Sequence, residues 1–94
     1  MRTLVWSANF KRAFRRIIRR RPELRARVQQ AIELLAEDPF HPTLRSHKLR
    51  GELAGTWACK VDYDNRILFD FVTDPESGEE EILLLTMGTH DEVY

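Results

Sequence analysis

The spacing of apolar residues changes partway along the chain, and this change limits the fold more than any other feature. From Phe10 to Leu35 the apolar residues recur at helical intervals, whereas from Thr56 onward they fall in short runs typical of strands. Pro39 and Pro42 separate the two parts, because proline cannot continue a helix. Helices followed by a group of strands predict an α+β domain with an antiparallel sheet.

The first half predicts two helices joined by a tight connection. Ser7 can cap the first, and Pro22 and Glu23 suit the amino-terminal turn of the second. The two expected apolar faces are Phe10, Ala13, Phe14, Ile17 and Ile18 on the first helix, and Leu24, Val28, Ala31, Ile32, Leu34 and Leu35 on the second. Such a helical hairpin can lay both apolar faces on a sheet.

Four strands are predicted, at residues 3–6, 56–63, 66–72 and 80–87. The middle two form a hairpin that turns at Asp64 and Asn65, and residues 74–78 form the next turn. Residues 44–49 show only a weak extended pattern. The order β-α-α-β-β-β therefore predicts a helical hairpin packed on a mainly antiparallel four-stranded sheet, with the position of the first strand left open.

The length fits a single domain over residues 1–94. The single cysteine, Cys59, cannot form an internal disulfide, and its apolar neighbours predict a small buried side chain. No segment has the apolar core of a signal peptide or the length of a membrane span. We therefore expect a reducing, cytoplasmic location with no membrane partner.

Charge is divided between the two halves, although the formal net charge is zero. Residues 1–50 contain 13 Lys and Arg against 4 Asp and Glu, and residues 51–94 contain 2 against 11. Six cations lie opposite the apolar face of the first helix: Lys11, Arg12, Arg15, Arg16, Arg19 and Arg20. This pattern predicts a basic surface for a polyanion or an acidic partner, the alternative being a simply solvated face.

The motifs of several catalytic classes are absent from the sequence. His41, His47 and His90 lack the spacing of metal ligands, and the scattered carboxylates give no magnesium pattern. There is no nucleophile elbow and no Gly-rich phosphate loop. We therefore expect neither a metal nor a cofactor.

A group of cations and proton carriers remains. In a helical turn His90 and Tyr94 would share a face, with Gly88 permitting a sharp turn before them, and Lys60 and Arg66 would face each other across the hairpin. A basic cluster precedes the sheet: His47, Lys48 and Arg50. This chemistry suits RNA cleavage by the RNA's own 2′-hydroxyl, which needs a base, an acid and cations around the phosphorane but no metal.

Each of these candidate site residues could also have a purely structural role. Lys60 and Arg66 could form surface salt bridges with nearby aspartates. Trp57 could stack on a base, but a strand tryptophan more often belongs to the core. His47 could be structural, and Tyr94 could simply pack on the sheet edge.

The whole chain resembles the RelE/ParE superfamily of small bacterial toxins, nearest to its RelE and YafQ-like branch of ribosome-dependent mRNA endonucleases. The element order carries the resemblance together with three segments. These are residues 47–51 (HKLRG), residues 65–69 (NRILF) preceded by Trp57, and residues 88–94 (GTHDEVY).

The resemblance implies a toxin of a type II toxin-antitoxin system and a role for each matching residue. His90 would be general acid or base, Arg66 would stabilise the phosphorane, and Tyr94 would orient or stack on the substrate. His47 would aid proton transfer or contact phosphate. RNA contacts would come from Lys48, Arg50, Lys60, Trp57, Arg15, Arg16 and Arg19.

The resemblance also implies partners. They are a cognate antitoxin that masks the basic surface, and the ribosomal A site with its mRNA. Two alternatives remain open: a ParE-like inhibitor that binds DNA gyrase without nuclease activity, and a degenerate member kept as an antitoxin or DNA-binding partner. His90 favours the nuclease, since a gyrase binder has no need of an imidazole there.

Overall fold

The computed structural model describes residues 1–94. Five strands and three α-helices follow one another along the chain: β1 (Thr3–Trp6), α1 (Ala8–Arg20), α2 (Leu24–Glu37), β2 (His47–Lys48), β3 (Trp57–Lys60), β4 (Asn65–Thr73), β5 (Glu80–Thr89) and α3 (His90–Val93). Short 3₁₀ turns at Pro42–Leu44 and Gly51–Leu53 flank β2. None of the helices combines the length and the apolar character needed to cross a membrane.

The sheet has the strand order β1-β5-β4-β3-β2. The α+β class is confirmed, but the prediction of four mainly antiparallel strands is wrong. His47 and Lys48 add a fifth strand at the edge, antiparallel to β3. The sheet is mixed because β1 lies parallel to β5, with Thr3 opposite Glu81 and Trp6 opposite Leu84.

One face of the sheet packs against α1 and α2. The core includes Phe10, Val28 and Leu35 from the helices and Ile67, Phe69, Ile82, Leu84 and Met87 from the strands. Ser7 caps α1 as predicted, since its Oγ accepts a hydrogen bond from the Phe10 amide at 3.0 Å. The same hydroxyl donates to the Leu85 carbonyl at 3.0 Å and so fixes α1 to β5.

The second helix begins later than the sequence suggested. Pro22 lies in the preceding turn, and Glu23 is the N-cap without a side-chain capping bond. The Glu23 carboxylate pairs instead with Arg21 at 3.1 Å. The apolar stripe from Leu24 to Leu35 still faces the core as predicted.

The β3–β4 hairpin has a wider loop than predicted. β3 ends at Lys60, and residues 61–64 form the loop where a two-residue turn was expected. The Asp62 carboxylate holds this loop by accepting bonds from the Asp64 amide (3.0 Å) and from the Asn65 amide (2.7 Å) and side chain (3.0 Å). Lys60 nevertheless pairs directly with Arg66, as predicted.

The opposite face of the sheet is not covered by the two long helices. Side chains alternate along a strand, so the neighbours of the core residue Ile67, Arg66 and Leu68, project to this second face. Pairing places Ala58 and Thr86 beside Leu68, and Gly88 beside Arg66.

Candidate active site

The last residues form the helix α3, which meets the condition under which His90 and Tyr94 were expected to share a face. Thr89 and Glu92 make a capping box, in which Thr89 Oγ1 accepts from the Glu92 amide (3.3 Å) and Glu92 Oε1 accepts from the Thr89 amide (2.8 Å). The His90 amide donates to the Asp64 carbonyl at 3.0 Å, which ties α3 to the hairpin loop. His90 and Tyr94 therefore share a face, with ring centroids 4.2 Å apart.

Gly88 has a different role from the one predicted. It lies within β5 opposite Arg66 and not in a turn, and its φ is not positive. A Cβ at this position would lie 3.1 Å from Val93 Cγ1 and 3.2 Å from Glu92 Oε1. The absent side chain allows α3 to pack close against the strand.

Tyr94 lies between two imidazoles that are distant in sequence. Its hydroxyl is 3.4 Å from His47 Nε2 of the edge strand β2, with the rings in an edge-to-face arrangement at 6.2 Å. His90 packs on the same phenol ring, also edge-to-face. The structure therefore brings together three of the predicted catalytic residues, which come from β2 and from the end of the chain.

Arg66 is the fourth member of this cluster. Its Nη1 donates to the carbonyl oxygens of Asp62 (2.7 Å), Tyr63 (3.0 Å) and Asn65 (3.0 Å), so the loop fixes the guanidinium. Partial burial raises the pKa of Tyr94, and the charge of nearby Arg66 opposes this shift only in part. Tyr94 is thus a neutral hydrogen-bond donor at physiological pH.

The salt-bridge explanation for Lys60 and Arg66 is wrong in this structure. Neither side chain lies within an ion pair, and the carbonyl contacts of Arg66 take the place of a carboxylate partner. The positive charge of Arg66 therefore remains uncompensated next to Tyr94. Such a fixed, unpaired guanidinium suits an anionic ligand.

The other predicted cations lie on both faces of the sheet. Lys48 pairs with Trp57, and its Nζ is 6.0 Å from the centroid of that ring, so it lies on the face opposite His47. Lys48 and Arg50 are exposed at the sheet edge, on β2 and just before the Gly51–Leu53 turn. Lys60 is half-buried opposite Arg66.

Trp57 is separated from the cluster by the sheet. It packs edge-to-face with Phe40 at 5.4 Å and with Phe71 at 5.6 Å, and it contacts the core. His47 pairs with the adjacent residue, Ala58, so it faces the opposite side. These contacts agree with the core alternative, and base stacking by Trp57 stays a prediction.

The six cations of α1 are all exposed, as the helical pattern predicted, and none forms an ion pair. The end of this face approaches α3. Glu92 has a lowered pKa, first because of its hydrogen bonds from Thr89 and then because of the charges of Arg16 and Arg20. The basic face thus reaches the elements that carry His90. Arg15, Arg16 and Arg19 lie on it as expected.

The remaining titratable groups do not form a metal site. No group of three or more His, Cys, Asp or Glu side chains converges. Cys59 is fully buried, as predicted, and burial raises the pKa of its thiol to about 12.

Sequence reasoning missed several residues that build the site. Thr89 and Glu92 carry the Thr-x-x-Glu signature of a capping box, which the sequence alone could have revealed. Asp62, which holds the hairpin loop, and Arg45, whose carbonyl accepts from His47 Nδ1 at 3.0 Å, have no comparable local signature.

Comparison with known proteins identifies a family whose model the chain matches. Residues 2–94 match the model of the family described as bacterial toxin of type II toxin-antitoxin system, YafQ. Toxin YoeB from Mycobacterium bovis is 27% identical over 64 residues, which are 68% of each protein.

Solved structures show the same fold. YafQ from E. coli strain BL21(DE3) has a TM-score of 0.77 at 17% identity, over 100% of this chain and 99% of that one. The toxin in the E. coli DinJ-YafQ complex has a TM-score of 0.76 at 17% identity, with the same coverage.

Proposed function

This chain belongs to the YafQ family of bacterial toxins of type II toxin-antitoxin systems, and we propose that it is a ribosome-dependent endonuclease that cleaves mRNA. The observation that carries the proposal is the cluster of His47, His90 and Tyr94 beside the fixed guanidinium of Arg66. Two imidazoles and a cation around one small space are the groups that phosphodiester cleavage requires.

The reaction uses a nucleophile that belongs to the substrate. One imidazole removes the proton of the RNA 2′-hydroxyl, whose oxygen attacks the adjacent phosphorus. Arg66 stabilises the negative charge of the phosphorane, and the second imidazole protonates the leaving 5′-oxygen. Tyr94 orients the imidazoles or stacks on a base. We propose that no metal ion takes part, since the nucleophile needs no metal to activate it.

RNA binding involves the cations around this cluster. Arg50 and Lys60 contact phosphates near the cleavage point. Lys48 and Trp57, on the other face of the sheet, contact a phosphate and stack on a base further along the mRNA. The exposed α1 residues Arg15, Arg16 and Arg19 lie on ribosomal RNA at the A site. Their lack of ion-pair partners supports this assignment. Work on the ribosome would place the protein in the cytoplasm.

A cognate antitoxin is the second partner we propose. The structure of E. coli YafQ in complex with DinJ shows such a pair for a protein with the same fold. An acidic antitoxin would complement the basic face of α1 and mask the toxin until release.

The test is a ribosome-programmed cleavage assay with the intact protein, His90→Ala, Arg66→Ala and a matched control. The control is His41→Asn, because His41 Nδ1 only accepts a bond from the Thr43 amide (3.2 Å) and Asn retains an acceptor. We expect the control to cleave normally and the two variants to lose about 100-fold or more in rate.

Two outcomes would contradict the proposal. Unchanged cleavage by both variants would remove His90 and Arg66 from the reaction. Absence of cleavage by the intact protein, together with trapped gyrase–DNA complexes, would identify a ParE-like inhibitor instead.

A further inference from the structure

Arg45 has an unusual backbone conformation next to the site. It is the only residue other than glycine with a positive φ, at φ 49° and ψ 40°. This left-handed conformation is unfavourable for a residue with a Cβ and persists only where the surroundings impose it. The Arg45 amide donates to the Pro42 carbonyl at 3.2 Å, and the Ser46 hydroxyl donates to the Pro39 carbonyl at 2.6 Å. Both bonds hold the turn.

This conformation sets the direction of the Arg45 carbonyl. The carbonyl oxygen lies 3.0 Å from His47 Nδ1. Because a carbonyl can only accept a hydrogen bond, Nδ1 must carry the proton. In neutral His47 the lone pair is then on Nε2, the atom that lies 3.4 Å from the Tyr94 hydroxyl.

The same turn fixes the opposite tautomer in a second histidine. The Thr43 amide donates to His41 Nδ1 at 3.2 Å. An amide can only donate, so Nδ1 of His41 is the acceptor and its proton is on Nε2. The two histidines are six residues apart, and one NMR measurement on the protein can compare their tautomers directly.

We propose that Arg45 is a positioning residue whose left-handed backbone holds His47 as the Nδ1–H tautomer and so makes Nε2 the general base. This inference rests on the proposed function and concerns how His47 is held for its part in that reaction. The 2′-hydroxyl proton passes to His47 Nε2 as the O2′–P bond forms. The P–O5′ bond breaks, and protonated His90 gives its proton to O5′, leaving a 2′,3′-cyclic phosphate and a 5′-hydroxyl.

The first test reads the tautomers in the isolated full chain by two-bond ¹⁵N–¹H correlation NMR, at a pH where the imidazoles are neutral. We expect the proton on Nδ1 of His47 and on Nε2 of His41. A proton on Nε2 of His47 would overturn the proposal. This measurement needs no RNA, so it stands even if the intact protein cleaves none and the proposed function fails.

The second test compares Arg45→Asn with Arg45→Val. Both remove the same charge, but Asn tolerates the left-handed region and β-branched Val does not. We expect Asn to keep the tautomer and the cleavage rate. In the Val variant His47 should lose the Nδ1–H preference, and kcat should fall about fivefold, the effect of one ordinary hydrogen bond, with KM unchanged.

Equal tautomers and equal kcat in the two variants would overturn the proposal. So would an equal rise in KM in both, since that result would make Arg45 a phosphate contact through its side chain. If Arg45→Val does not fold, Arg45→Ala against Arg45→Gly gives the same comparison, because glycine adopts positive φ freely.

Discussion

Tyr94 contacts both imidazoles of the site through different parts of its side chain. The ring packs on His90 at 4.2 Å, and the hydroxyl faces His47 Nε2 at 3.4 Å. The raised pKa keeps this hydroxyl protonated and therefore able to donate. The ring and the hydroxyl can be separated by substitution.

We expect Tyr94→Phe to lower single-turnover cleavage about fivefold, the effect of one hydrogen bond. Tyr94→Ala should lower it about 50-fold, because the aromatic contact is lost as well. Phe and Ala variants with the same rate would show that the ring contributes nothing.

Cys59 makes stability depend on alkaline pH. Burial raises its thiol pKa from 9.0 to about 12. The unfolded chain therefore releases this proton at lower pH than the folded chain, and stability falls as pH rises from 9 towards 12. Between pH 8 and 10.5 the loss is about 2 kcal/mol.

Urea unfolding at pH 8 and at pH 10.5 checks this expectation, with Cys59→Ala as the comparison. The variant should be less stable at pH 8 but should lose less stability between the two pH values. An equal loss in both proteins would assign the alkaline sensitivity to other groups.

Sequence reasoning at the residue scale succeeded where partners are close in the chain. His90 and Tyr94 are four apart, so a helical turn was enough to predict their contact. The approach of His47 to Tyr94 spans 47 residues and depends on the sheet order. No local pattern could show it.

At the level of elements, α3 depends on its attachments. Four residues are too few for a stable helix in isolation. The capping box, the bond from the His90 amide to the Asp64 carbonyl and the close approach at Gly88 hold it in place. Damage to any of these should move His90 and Tyr94 without unfolding the core.

Thr89→Ala should weaken α3 by about 1 kcal/mol through loss of the cap. We expect faster amide exchange at Glu92 and slower cleavage, while the melting temperature of the domain stays close to that of the intact protein. Thr73→Ala, at the exposed end of β4, is the matched control. Unchanged exchange at Glu92 would mean that the cap does not hold the helix.

The features of the sheet that the sequence did not predict are those with the weakest local pattern. β2 has only two residues, too few to show a strand period, and it forms because β3 offers an open edge. The placement of β1 beside β5 is set by pairing across the whole chain, which strand patterns do not specify. The long helices and β4 and β5 were predictable, because each repeats its period several times.

For the whole molecule, the two oppositely charged halves of the sequence form different layers: the basic half supplies the helices, and the acidic half supplies most of the sheet. The basic residues of α1 form one exposed surface, while the acidic half supplies β3, β4 and β5 and their loops. This surface should make ribosome binding dependent on salt.

Replacing Arg15, Arg16 and Arg19 by Gln should reduce the slope of log affinity against log salt by about 2, since each phosphate contact contributes about 0.7–0.9. The slope is measured by equilibrium binding to ribosomes at salt concentrations from about 50 to about 200 mM. Arg2→Gln is the control, because Arg2 is already paired with Glu80 at 2.7 Å. An unchanged slope in the triple variant would mean that the α1 face is only solvated and contacts no phosphate.

The central claim is that the 2′-hydroxyl of the RNA is the nucleophile. The most direct measurement uses ribosomes programmed with an mRNA that carries a single 2′-deoxynucleotide at the cleavage position. The claim predicts that the all-ribose mRNA is cut, with a 2′,3′-cyclic phosphate end, and that the substituted mRNA stays intact at that position. Equal cleavage of both mRNAs would contradict it.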